Sequence, residues 1–83
     1  MNSASGGKSL VAGGSENQVN GGTICGGSQN TSNGGSISGG THNTTNRLHS
    51  SVSGGANNTA DGDYSSILGG NGITVGTAYG TSP

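Results

Sequence analysis

The side chains able to perform acid–base, nucleophilic or metal chemistry are few in this 83-residue chain. They are His42, His49, Cys25, Glu16, Asp61 and Asp63, beside many serines. To act as a nucleophile in a catalytic triad, a serine hydroxyl needs a histidine as its base and an acidic residue that orients the histidine. No acidic residue is spaced to orient either histidine, so the sequence predicts no catalytic residues and no enzymatic activity.

Two glycine-containing segments match nucleotide-binding loops only in part. Gly7-Lys8-Ser9 ends like a phosphate-binding loop, but Asn2 stands where its first glycine belongs and no apolar strand precedes it. Gly70-Asn71-Gly72 begins like a dinucleotide fingerprint, but Val75 occupies the third glycine position. We therefore expect no nucleotide and no other cofactor.

Metal binding within one chain is not predicted either. Cys25 is the only cysteine, so it cannot form an intrachain disulfide. Asp61-Gly62-Asp63 lacks the further oxygen ligands of a calcium loop, and a turn is the better interpretation. Three copies of His42, His49 or Cys25 around a threefold axis would offer ligands to an ion, and that alternative stays open.

Composition excludes a conventional apolar core. The chain contains 20 Gly, 14 Ser, 10 Asn and 9 Thr, only 24% of its residues are hydrophobic, and it has no Phe or Trp. Apolar burial alone is too small to offset the conformational entropy lost on ordering such a chain. A folded state therefore needs regular hydrogen bonding between repeats or the association of several copies.

The charge argues against two classes of partner. The net charge is −1, and the only cations besides histidine are Lys8 and Arg47. Two cations are too few to neutralise a run of phosphates or to hold an anionic membrane, so we expect neither nucleic acid nor membrane insertion. Residues 1–9 contain no apolar run of signal-peptide length, which favours a protein made in the cytoplasm that joins a particle, or a fragment.

A unit of 13 to 15 residues recurs along the chain. Each of the five units has a β-branched residue just ahead of a Gly pair, with one residue between them, and the first four have an asparagine six positions after the β-branched residue. The β-branched positions form a predicted structural ladder: Val11, Ile24, Ile37, Val52 and Ile67. The asparagines form a predicted amide ladder: Asn17, Asn30, Asn43 and Asn58. Agreement in this many columns is not expected from composition alone.

Units of this length predict short stacked strands. They are too short for a pair of helices, and each Gly would cost about 1 kcal/mol inside a helix. The Gly pairs supply one turn of each unit. The Asn-Gly pairs at 20–21 and 33–34 and the Asp-Gly pair at 61–62 supply a second turn. Strands of successive units then lie about 4.8 Å apart. We predict an all-β fold, a repetitive parallel β-roll or β-solenoid with 13–15-residue rungs.

This fold divides the chain into three parts. Residues 1–10 are predicted to be an N-terminal arm or cap, 11–70 a five-rung repeat, and 71–83 a C-terminal strand, cap or docking tail. The two longer rungs place His49 and Tyr64 in one column, where they are expected to stack. This pair is either an interchain contact or part of an exposed recognition patch.

Segment 51–66, SVSGGANNTADGDYSS, resembles the head repeat of trimeric autotransporter adhesins, which recurs in bacteriophage fibre proteins. The resemblance extends over roughly 11–70. It implies a left-handed parallel β-roll, an intertwined or side-by-side homotrimer, and a role in adhesion or fibre formation. The asparagine-rich coil also resembles the β-roll ice-binding proteins of grasses.

The resemblance leads to three functional hypotheses. The first is a non-enzymatic structural or adhesive homotrimer, a fibre, spike or decoration protein of a phage virion. Its partners would be itself, other virion or surface proteins, and a host surface or glycan. The second is the head of a bacterial trimeric autotransporter adhesin, located on the cell surface.

The third hypothesis, ice binding, needs a flat array of threonines. The column after the amide position reads Gln18, Thr31, Thr44 and Thr59. The next column reads Val19, Ser32, Thr45 and Ala60. Threonine does not recur in the second column, and the change from 13 to 15 residues is expected to interrupt the face.

Overall fold

The computed structural model of the protein describes residues 2–5, 9–47 and 49–82. Within these ranges every strand has two residues. The strands are β1 (Ser3–Ala4), β2 (Leu10–Val11), β3 (Gln18–Val19), β4 (Thr23–Ile24), β5 (Thr31–Ser32), β6 (Ser36–Ile37), β7 (Thr44–Thr45), β8 (Ser51–Val52), β9 (Thr59–Ala60), β10 (Ser66–Ile67), β11 (Thr74–Val75) and β12 (Thr81–Ser82).

The strands form two six-stranded parallel sheets. The odd-numbered strands make sheet A, in chain order, and the even-numbered strands make sheet B. Each rung of the coil contributes one strand to each sheet, and the chain completes about five turns. The predicted all-β parallel solenoid is therefore confirmed. No helix among the described residues is long and apolar enough to span a membrane.

Side chains alternate between the outside and the inside of the coil. From β3 to β11 the first residue of each strand is exposed or half-buried and the second is buried. The inward column of sheet B contains the aliphatic ladder, in which Ile24, Ile37, Val52 and Ile67 are fully buried and Val11 is half-buried. Sheet A faces this ladder with Val19, Ser32, Thr45, Ala60 and Val75.

The two connections of each rung differ in their tolerance of length. The connection from sheet B to sheet A always has six residues, as in 12–17 and 53–58. The connection from sheet A to sheet B has three residues in 20–22 and 33–35 but five in 46–50, 61–65 and 76–80. The difference between rungs of 13 and 15 residues therefore lies at one corner of the coil.

Because the extra residues lie at that corner, they do not disturb the strand register. Thr31 pairs with Thr44, Thr44 with Thr59, and Thr59 with Thr74. The expectation that the change in rung length interrupts the threonine face is therefore wrong. The neighbouring column, which includes Thr45 and Ala60, points into the core and does not belong to that face.

Paired strands also lie outside residues 11–70, the range predicted for the repeat. Near the N terminus β1 pairs with β3. Near the C terminus β11 pairs with β9 and β12 pairs with β10. Ile73 occupies the asparagine position of its rung, and its backbone N–H donates to Oδ1 of Asn58 at 2.9 Å.

The buried ladder predicts a sharp contrast between two aspartate substitutions. Ile37→Asp inserts a carboxylate into the fully buried column and should lower the free energy of unfolding by several kcal/mol per copy. Gln29→Asp changes an exposed corner residue at φ 57°, a conformation that aspartate tolerates. It removes the 3.4 Å hydrogen bond from Nε2 of Gln29 to Oε1 of the exposed Glu16 and brings two exposed carboxylates near each other, so it should cost less than about 1 kcal/mol. Thermal unfolding followed by circular dichroism makes the comparison. Equal melting temperatures for the two variants would contradict the rung alignment.

Candidate functional site

A buried asparagine joins each rung to the next. Nδ2 of Asn17 donates to the carbonyl oxygen of Gly13, in its own rung, and to that of Gly27, in the next, both at 3.1 Å. Oδ1 of Asn17 accepts the backbone N–H of Asn30 at 3.0 Å. Asn30, Asn43 and Asn58 make the same three kinds of bond. Both amide protons and the amide oxygen are thus used in every copy.

The amide ladder begins earlier than the sequence analysis predicted. Oδ1 of Asn2 accepts the backbone N–H of Asn17 at 3.0 Å, and Nδ2 of Asn2 donates to Gly14 at 3.0 Å. Asn2 lies 15 residues before Asn17, which is the spacing of the longer rungs. This spacing could have predicted a further rung at the N terminus from the sequence.

The second glycine of each pair is required by this arrangement. Gly40 has φ +92°, and a Cβ added there would lie 2.2 Å from the carbonyl oxygen of Gly55 and 2.5 Å from Nδ2 of Asn43. A Cβ added at the preceding Gly39 would meet nothing within 4 Å. Only one member of the pair therefore depends on being glycine.

An aromatic column runs along the corner between sheets A and B. The rings of His49 and Tyr64 stack with centroids 4.9 Å apart, and those of Tyr64 and Tyr79 with centroids 5.1 Å apart. Tyr64 is 52% exposed and Tyr79 73% exposed. Tyr79 was not predicted as a site residue, although its 15-residue distance from Tyr64 was a readable signal.

The three aromatic residues adopt a left-handed backbone conformation. Their φ angles are 64°, 58° and 61° for His49, Tyr64 and Tyr79. Such angles cost bulky residues about 1–3 kcal/mol. Within the connection 61–65, positive φ thus falls on Tyr64 and not on Gly62 of the predicted Asp-Gly turn. The corner is closed by a serine hydroxyl, since Oγ of Ser65 donates to the Gly62 carbonyl at 2.7 Å.

The outer face of sheet A is polar and regular. One column has threonine in four successive strands: Thr31, Thr44, Thr59 and Thr74. Just beyond β3, β5 and β7 is a surface amide ladder, in which Asn20 donates to Asn33 at 2.8 Å and Asn33 donates to Asn46 at 3.2 Å. These amides are therefore linked from rung to rung.

The outer face of sheet B carries small and apolar residues without a charged group. Its first column is Leu10, Thr23, Ser36, Ser51, Ser66 and Thr81, and its second is Ala12, Cys25, Ser38, Ser53 and Leu68. Leu10 is 55% exposed and Leu68 is 71% exposed. It is the less polar of the two sheet faces, because sheet A exposes the amides of Asn20, Asn33 and Asn46 and the carboxylate of Asp61.

The remaining residues considered for chemistry lie apart from one another. His42 is exposed at the corner that holds the Gly pairs, His49 at the aromatic corner, and Cys25 on sheet B. Lys8 lies outside the described residues. In the described part of the chain, no three His, Cys, Asp or Glu side chains are grouped to hold a metal, and no pocket is found.

No protein-family model matches the chain, and no curated protein and no solved structure matches it.

The corner geometry predicts opposite effects for alanine at two adjacent glycines. Gly40→Ala should lower the melting temperature strongly, because the methyl group meets Gly55 and Asn43 at positive φ, a cost of about 1–3 kcal/mol before the clash is counted. Gly39→Ala should be neutral or stabilising by up to about 1 kcal/mol, since it restricts the unfolded chain. Calorimetric unfolding of both variants tests this. A destabilisation at Gly39 as large as at Gly40 would refute the assignment.

Proposed function

We propose that the protein is a non-enzymatic structural or adhesive module that acts as a side-by-side homotrimer. In this proposal it is a fibre, spike or capsid decoration component of a phage virion. The head of a bacterial trimeric autotransporter adhesin is the alternative setting for the same module.

One observation carries the proposal: both tyrosines, and both leucines among the described residues, lie on the outside of the coil. The buried apolar side chains are those of Val, Ile and Ala, whereas Leu10, Leu68, Tyr64 and Tyr79 are each more than half exposed. Exposed apolar surface of this kind typically marks contact with another protein or surface. In a chain with so few large side chains, placing four of them outside favours association as the main role.

The aromatic corner supports the adhesive part of the proposal. Glycine would adopt the φ of Tyr64 and Tyr79 without strain, so the local turn does not require an aromatic ring. Tyrosine is also well suited to recognition, because it combines an apolar ring with a hydroxyl group. A glycan or protein on a host surface is the partner class that this corner fits.

Mass measurement tests the assembly. We expect light scattering at micromolar concentration to give three times the chain mass of 7.8 kDa. The exposed leucines and tyrosines carry no charge, so the trimer should persist when salt is raised from about 0.1 M to about 1 M, where the screening length falls to about 3 Å. A stable monomer under these conditions would overturn the proposal.

Ice binding is a second candidate, and the continuous threonine column of sheet A favours it. Thr31, Thr44, Thr59 and Thr74 lie in register on a parallel sheet, with strands about 4.8 Å apart. Measurement of thermal hysteresis in a millimolar solution tests this candidate. Thr44→Lys is the loss variant, and Thr41→Lys, at the exposed corner that holds the Gly pairs, is its control because it lies outside both sheet faces. Absence of hysteresis and of ice shaping in the unsubstituted chain would remove it.

A further inference from the structure

We infer that the outer face of sheet B is the surface through which copies of this chain pack together. The inference rests on the proposed homotrimer and specifies which surface of each copy contacts its neighbours. The face is defined by its two outward columns, which begin at Leu10 and Ala12. The partner it fits is a second copy of the chain.

The dimensions of the coil favour a broad face over a corner. The chain measures 29 × 24 × 12 Å, and the shortest extent corresponds to two packed sheets, which lie about 10 Å apart. A stable interface buries about 800 Å² on each partner. A sheet face of 29 by 24 Å offers about 700 Å², and a corner edge of 29 by 12 Å about 350 Å². The aromatic corner alone is therefore too small to hold copies together.

Charge and hydrogen bonding distinguish the two broad faces. Sheet A exposes Asp61 and the amides of Asn20, Asn33 and Asn46, so covering it would desolvate a carboxylate and a polar ladder. Sheet B exposes no charged side chain among its eleven outward residues. Depletion of charge is typical of the buried centre of an interface. Sheet B is therefore the face that costs less to bury.

The positions of the two leucines suit self-association. Leu10 lies on the first strand of sheet B and Leu68 next to the fifth, so they stand near opposite ends of the face. Between them the outward residues are Ser, Thr, Ala and Cys, whose small side chains allow close approach of a neighbour. A leucine of one copy can thus lie over small residues of the next, and burying it supplies the apolar contact that the face offers.

Cys25 provides a native probe of this face. It is exposed in the single chain and lies on the outer face of sheet B beside the second strand, β4, so its thiol should react freely with maleimide unless another copy covers it. In the assembled full chain we expect the reaction to be at least about tenfold slower than in the urea-unfolded chain. Light scattering on the same sample gives the number of copies.

The test variants use residues that already occur in the same columns. Leu10→Thr with Leu68→Ser matches Thr23 and Ser53, so the coil should retain its circular dichroism spectrum. We expect this double variant to raise the concentration of half-dissociation at least about tenfold and to restore Cys25 reactivity. Gln18→Thr, which matches Thr31 on sheet A, is the control and should change neither quantity.

The outcomes separate this inference from the proposed function. A trimer whose Cys25 reacts as fast as in the unfolded chain, or whose concentration of half-dissociation is unchanged in the double leucine variant, overturns the sheet B interface and leaves the trimer standing. A dimer with protected Cys25 supports the interface and overturns the trimer. A monomer overturns both.

Discussion

The fold depends on one repeated interaction, the buried asparagine amide that bonds to two glycine carbonyls in adjacent rungs. An unpaired buried amide costs about 1–3 kcal/mol, so the ladder stabilises the coil only because every donor and acceptor is used. No buried side-chain nitrogen or oxygen of the described residues lacks a partner. The second glycine of each pair is a consequence of this contact, since a side chain there would separate the two rungs that the amide joins.

This interaction also explains how a chain with so little apolar mass keeps a defined shape. Each strand from β3 to β11 contributes one inward-facing side chain to the core. The aliphatic column of the core includes only isoleucine and valine. Hydrogen bonds between rungs hold the strands in register, and the aliphatic column excludes water from them. With few large side chains needed inside, the tyrosines and exposed leucines are free to serve contacts outside the coil.

The repeat could be predicted because inward positions recur strictly. Ile37 and Asn43 are surrounded by equivalent residues in the rungs above and below, so their columns are visible in the sequence. Tyr64 shows where prediction from local propensity fails: Asp61-Gly62 is a strong turn signal, but the longer connection moves the left-handed residue to Tyr64. The residues of the outward columns could not be assigned to a contact surface in this way. An outward residue only has to be compatible with solvent, so its type need not recur from rung to rung. The periodicity of the sequence therefore does not show which outward face contacts another molecule.

The unequal corners of the coil have a consequence for how such a chain can diversify. The corner with the Gly pairs has the same length in every rung because the amide contact spans it, so an insertion there would break the contact between rungs. The opposite corner already accommodates either three or five residues without a shift of the sheets, and lengthening a surface connection costs little entropy. Foreign peptides grafted after Asp61 or Asn46 should therefore be displayed at intervals of one strand spacing, about 4.8 Å, along a rigid scaffold.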